Sequence, residues 1–139
     1  MSCTSKWEAI DTLIDCLADT PEVTDPAELK REMYARERLM STGLGVGFGV
    51  PHVRLASVTN LVMAVGINDR YLEDYTTLDD SFVRVLCMIA ARDDQHVRYL
   101  QALSALRPLM KDIGQCDLLL QAPDTLVAYK ILCNSTKLQ

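Results

Sequence analysis

Two side chains in this sequence have the right type to act as neutral nucleophiles near pH 7: His52 and His96, its only imidazoles. An unperturbed imidazole titrates near about 6.5, so at neutral pH it offers a free lone pair. His52 follows proline, in Gly49-Val50-Pro51-His52-Val53-Arg54. Proline fixes the backbone and ends a strand, which places His52 at a strand end facing a loop. His96 falls in the first turn of a helix, in Asp93-Asp94-Gln95-His96. The open amides of a helix N-terminus favour an anion there. The 44 residues between the two histidines carry no meaning by spacing alone. A polar loop histidine and a surface helix histidine would satisfy the same pattern.

Other chemistries lack their residues. The alternating run Gly43-Leu44-Gly45-Val46-Gly47-Phe48-Gly49-Val50 has no GK[ST] ending and is not GxGxxG: the sixth residue from Gly43 is Phe48, and from Gly45 it is Val50. No GxSxG elbow and no HExxH helix occurs. The five cysteines, at 3, 16, 87, 116 and 133, form no CxxC. An odd, scattered set argues against zinc and against a disulfide framework, and reads as small buried hydrophobes in a reducing cytoplasm. No metal and no cofactor is expected.

The elements that must position the histidines are marked by periodicity. Ser5-Lys6-Trp7-Glu8 is a capping box, followed by a helical stripe at Trp7, Ile10, Leu13, Ile14 and Leu17. Asp25-Pro26 opens a second helix, with Leu29, Met33, Ala35, Leu39 and Met40 on its apolar side and Thr42-Gly43 as its stop. Glycine at alternate positions of 43–49 leaves one face bare, so that another backbone or a ligand can approach. Residues 61–67 and 82–90 are buried-strand candidates, and the polar stretch 68–81 between them reads as a loop or hairpin excursion. Asp93-Asp94 caps a third helix reaching about Met110, with Pro108 expected to kink or shorten its last turn. A short helix over 116–121 and a last one from Pro123-Asp124, carrying Leu126, Val127, Tyr129, Ile131 and Leu132, complete the order.

The whole chain bounds these readings. It has 139 residues, 49% hydrophobic and 24% charged, with a formal net charge of −5. That length suits one domain, 1–139, with an ordered core over roughly 5–133. The acidic balance argues against a general nucleic-acid binder, which needs surplus cations. The longest uncharged apolar runs, 61–67 and 85–91, are far short of the roughly 20 residues of a membrane helix. The first residues carry no apolar signal-peptide core. Two strands this apolar need cover on both sides, so the expected fold is α/β: a mixed sheet flanked by helices on both faces.

The segment Arg36-Glu37-Arg38-Leu39-Met40-Ser41-Thr42-Gly43-Leu44-Gly45, followed by Gly49-Val50-Pro51-His52, resembles a known signature. It is that of the fructose/mannitol-type enzyme IIA domains of the phosphoenolpyruvate-dependent sugar phosphotransferase system, which includes free-standing nitrogen-regulatory members. The pattern reads R-E-x-x-S-T-x-(hydrophobic)-x-x-x-(hydrophobic)-A-(hydrophobic)-P-H. The resemblance covers nearly the whole chain. Gly49 replaces the usual alanine, Asp79-Asp80-Ser81-Phe82 stands where Asp-Gly-x-Pro is common, and Pro108 interrupts a helix that is usually continuous.

The resemblance implies a sheet of about five strands and a phosphoryl relay. His52 matches the phospho-accepting histidine. His96 matches the second histidine, which would neighbour His52 and donate to the phosphoryl oxygens. Arg36 matches a clamping arginine; Ser41 and Thr42 would supply hydroxyls or amides to the pocket, and Arg54 could add charge. The donor would be an HPr-like phosphocarrier, and the acceptor the cysteine of a IIB domain. The alternative is a stand-alone regulator whose phosphorylation state sets which partner it holds; the absence of IIB, IIC or HPr segments in 139 residues leans that way. The intact Arg36, Ser41, Thr42, His52 and His96 argue against a member that has lost transfer. A docking face is expected among Leu44, Val46, Phe48, Val53 and Leu55, beside His96 and Tyr99, though alternation turns some of these inward.

Overall fold

The computed structural model describes residues 1–45 and 47–111. The helices expected over 116–121 and beyond Pro123 lie outside the described residues, as does Val46.

Helix α1 spans Lys6–Ala18; the Ser5 hydroxyl accepts from the Glu8 amide, and Ile10, Leu13, Ile14 and Leu17 are buried. Helix α2 spans Pro26–Leu39, with the Asp25 carboxylate taking the Glu28 amide and Pro26 in the first turn. Its buried stripe is Leu29, Met33 and Glu37, one residue per turn. Leu39 and Met40, expected on the apolar side, are instead 84% and 77% exposed. Leu39, two positions past Glu37, turns to the opposite side of the helix, and Met40 has left the helix, its backbone already extended.

Strands β1 (Gly43–Gly45), β2 (Phe48–Gly49), β3 (His52–Arg54), β4 (Val62–Thr76) and β5 (Phe82–Ala91) form one mixed sheet, followed by α3 (His96–Lys111). The apolar β5 is its axis. On one edge β2 and then β3 pair with it in parallel, Phe48 beside Val85 and His52 beside Ile89. On the other edge β4 runs antiparallel, Ile67 opposite Val85. β1 pairs antiparallel with β2.

Alternate residues of β5 feed two cores. Val83, Leu86, Met88 and Ala90 pack with α1 and α2, whereas Val85, Cys87, Ile89 and Ala91 pack with Phe48, Val50, Tyr99 and Ala102. Helices therefore cover both faces, as both sides of this strand are apolar. No helix among the described residues is long and apolar enough to cross a membrane.

Of the two readings of 68–81, the hairpin holds and the loop does not: β4 continues to Thr76 antiparallel to β5, with irregular register after Ile67 that turns both Leu72 and Tyr75 inward. Bulges of this kind break the two-residue alternation on which a sequence reading relies. Asp93-Asp94 does not cap α3; it forms a turn, and Gln95 closes it, its side chain accepting from the Arg92 amide at 3.0 Å. The helix runs past Pro108 to Lys111.

The glycine run does permit close approach. A Cβ on Gly43 would lie 2.1 Å from the Thr76 carbonyl oxygen, and one on Gly49 would lie 2.7 Å from the Tyr75 hydroxyl.

Candidate functional site

Val50-Pro51 ends β2, and β3 resumes beside β5 at His52, with the Pro51 carbonyl taking the Ile89 amide at 2.9 Å. The His52 ring is thereby held against α2 on one side and α3 on the other. Its Nδ1 lies 2.6 Å from the Val50 carbonyl oxygen. A carbonyl only accepts, so Nδ1 carries the proton and Nε2 keeps the lone pair. That lone pair faces the last turn of α2, where Arg36 Nη2 stands 3.2 Å away.

Burial pushes the His52 pKa below its ordinary value, the Arg36 guanidinium adds to the fall, and the Val50 carbonyl and Glu37 carboxylate oppose it. At neutral pH the ring is therefore an uncharged nucleophile with a fixed tautomer.

Arg54 and His96 extend the group. Residues 52 and 54 share a face of β3, by the period of a strand. Arg54 Nη1 donates to His96 Nδ1 at 3.0 Å, which leaves the proton of a neutral His96 on Nε2. Tyr99, one turn along α3, ties these together: its ring centroid is 5.4 Å from that of His52, and the Arg54 guanidinium lies 5.6 Å from it. His96 is exposed and reaches His52 through Arg54 and Tyr99.

An open cleft of about 470 Å³ fronts this group, lined by Glu32, Arg36, Leu39, His52, Arg54 and Tyr99 among others. A second groove beside His52 carries Met40, Ser41, Leu44 and Leu103. The chemistry on offer is anion binding around a nucleophilic nitrogen, with the Arg36 and Arg54 guanidinium groups lining the cleft as donors.

Ser41 and Thr42 differ in placement. Ser41 is exposed, and its hydroxyl donates to the Thr76 carbonyl at 3.0 Å. Thr42 is buried, with its hydroxyl 2.7 Å from Glu37 Oε2 and also against the Tyr75 hydroxyl. Phe48 and Val53 are core residues rather than part of an outer face, Leu55 is half-buried, and Leu44 is exposed.

Sequence reasoning set Tyr99 beside the docking face but not against the His52 ring, and it missed Glu37 as a contributor. Glu37 carried a signal: it continues the spacing of Leu29 and Met33, so a carboxylate occupies a core position. No group of three or more His, Cys, Asp or Glu able to hold a metal occurs among the described residues.

Comparison with known proteins bears on this arrangement. Residues 1–135 match the family described as phosphoenolpyruvate-dependent sugar phosphotransferase system, EIIA 2. The chain is 33% identical over 105 residues to the PTS system fructose-specific EIIABC component of Bacillus subtilis, covering 76% of this chain but only 16% of that longer protein. It is 26% identical over 128 residues to a nitrogen regulatory protein of Pseudomonas aeruginosa, covering 92% of this chain and 82% of that one. The fold is shared, with a TM-score of 0.80 at 22% identity, with a solved complex of enzyme IIAMTL and phosphorylated enzyme IIBMTL from Escherichia coli, covering 96% of this chain and 91% of the matched one.

Proposed function

The chain belongs to the EIIA 2 family of the phosphoenolpyruvate-dependent sugar phosphotransferase system, and on that premise we propose that it is a cytoplasmic phosphocarrier that accepts a phosphoryl group from phospho-HPr on His52 Nε2 and passes it to a IIB domain. The observation that carries this reading is the pairing at His52: Nδ1–H on the Val50 carbonyl, and the Nε2 lone pair turned to Arg36.

As the donor approaches, Arg36 leaves the lone pair and takes the phosphoryl oxygens. Nε2 attacks phosphorus, the donor's N–P bond breaks, and the donor imidazole recovers its lone pair. The Nδ1 proton stays on the ring, donated to the Val50 carbonyl, and the ring carries the positive charge. Phosphoryl transfer asks the protein for positioning and charge stabilisation rather than covalent help. Arg36 and Arg54 supply the charge, His96 adds an uncharged N–H donor, and Ser41 lies at the rim with Thr42 buried behind it. The acceptor would be a IIB cysteine, by likeness to the IIA–IIB complex of the structural relative.

A second reading is a stand-alone regulator in which phosphorylation of the same histidine selects a partner. Likeness to a nitrogen regulatory protein along 92% of the chain supports it. Pull-downs with phosphorylated and unphosphorylated protein separate the two. The shared step is tested by incubation with enzyme I, HPr and labelled phosphoenolpyruvate. His52→Gln is expected to lose the label and His96→Gln to retain it; equal labelling of His52→Gln would overturn the assignment.

A further inference from the structure

Behind the nucleophile lies a buried polar cluster that the transfer step itself does not use. Glu37 is 3% exposed, yet its carboxylate is fully engaged: Lys6 Nζ of α1 at 2.7 Å, the Thr42 amide at 3.0 Å and the Thr42 hydroxyl at 2.7 Å. The Thr42 hydroxyl also meets the Tyr75 hydroxyl of β4, and Lys6 Nζ lies 4.7 Å above the Tyr75 ring. Residues from α1, α2 and β4 thus converge on Thr42.

From Thr42 a hydrogen-bonded path leads to the reacting ring. The Thr42 carbonyl accepts the Val50 amide at 3.0 Å, and the Val50 carbonyl accepts His52 Nδ1–H at 2.6 Å. We propose that Lys6, Glu37, Thr42 and Tyr75 are positioning residues that hold the His52 strand and, through the Val50 carbonyl, fix the tautomer that leaves Nε2 free; the catalytic significance of this rests on the phosphocarrier reading.

Stability is a weak reason for such a cluster, because a buried ion pair is often replaced by apolar side chains without loss. Its place is better explained by register: Glu37 follows Arg36 in the last turn of α2, so one anchor fixes both the clamp and the strand it faces. This chain also departs from the resembled pattern where the cluster touches the strand. Gly49 stands in place of alanine, and a methyl there would lie 2.7 Å from the Tyr75 hydroxyl. The tyrosine hydroxyl occupies the space that the methyl would need.

The test uses the full chain with ¹⁵N-labelled histidine, unphosphorylated at about pH 8, where imidazole is neutral. Wild type is expected to show the Nδ1–H tautomer at His52. Glu37→Ala, folded by circular dichroism, is expected to show a mixture of tautomers and a phosphorylation rate about tenfold lower, as a small misplacement of reacting groups produces. Glu37→Gln keeps an acceptor for the Thr42 amide and is expected to restore most of both. Should Glu37→Ala not fold, Thr42→Val takes its place, losing only the hydroxyl contacts, with the same expected shift. Wild-type tautomer and wild-type rate in whichever of these folds would overturn the proposal. If wild type accepts no phosphoryl group, the phosphocarrier reading fails, and the tautomer comparison alone decides the positioning claim.

Discussion

In the proposed relay, Arg36 does two things in succession at one place. In the resting protein it covers the Nε2 lone pair from 3.2 Å; during transfer it must meet oxygens on the incoming phosphorus. A guanidinium suits both because its fork presents two parallel donors, which a lysine ammonium does not. Arg36→Lys is therefore expected to slow phosphorylation by about 10²-fold, the effect of losing one preorganised donor, measured as the rate of label uptake from phospho-HPr. The His52 environment makes a separate prediction. Its pKa is lowered mainly by burial, so on acidification the unfolded chain takes up the proton first. The stability that this group contributes is full above its ordinary value near about 6.5 and is lost as pH falls through that value toward the lowered folded one. Urea midpoints of wild type should fall over that window more than those of His52→Gln. Of the proposed site residues, His52, His96, Arg36, Ser41, Thr42 and Arg54 were legible because each lies in a motif or beside one. Tyr99 was legible only as a neighbour of the docking face, since its contact with His52 depends on α3 crossing the end of β3, which no local pattern encodes.

At the scale of elements, the strongest local signals survived folding and the weaker ones were overridden. The Ser5 cap formed, with the Glu8 carboxylate taking the Thr4 amide in place of the Ser5 amide of a full capping box, and the Asp25-Pro26 start formed as expected. The second half of β4 was hidden because Asp69, Arg70, Glu73 and Asp74 are exposed while Leu72 and Tyr75, three apart, are buried. Glu37 was hidden for the opposite reason: it is a charge on a core stripe. Its partner is Lys6, whose side chain is 11% exposed. Glu37→Met alone should destabilise the fold by about 3–5 kcal/mol, because it leaves the ammonium buried and unpaired. Adding Lys6→Met should recover most of that loss. A double-mutant cycle by urea denaturation measures the coupling, and equal, additive losses would show that the two charges do not depend on each other.

At the scale of the molecule, the two helical layers leave an apolar rim at the mouth of the site. Leu39, Met40 and Leu44 are exposed there, while Phe48 and Val53 are inside. A partner that delivers a phosphoryl group must cover this rim, and transient interfaces combine an apolar centre with a polar border. Leu39→Glu and Met40→Glu should leave thermal stability within about 0.5 kcal/mol of wild type, as exposed substitutions do, and still slow uptake from phospho-HPr. Phe48→Glu should unfold the protein. With a net charge of −5, uptake should also slow as salt rises if the partner presents a basic patch.

In the proposed relay a phosphorus–nitrogen bond forms at one atom, His52 Nε2, while Nδ1 keeps its proton and donates it to the Val50 carbonyl. Phosphorylating ¹⁵N-histidine-labelled protein with enzyme I, HPr and phosphoenolpyruvate, and reading phosphorus–nitrogen couplings by NMR, addresses that atom directly. Coupling to Nε2 of His52 is expected, with an Nδ1 proton still present on the same ring. Phosphorus on His96, or on Nδ1 of His52, would contradict it.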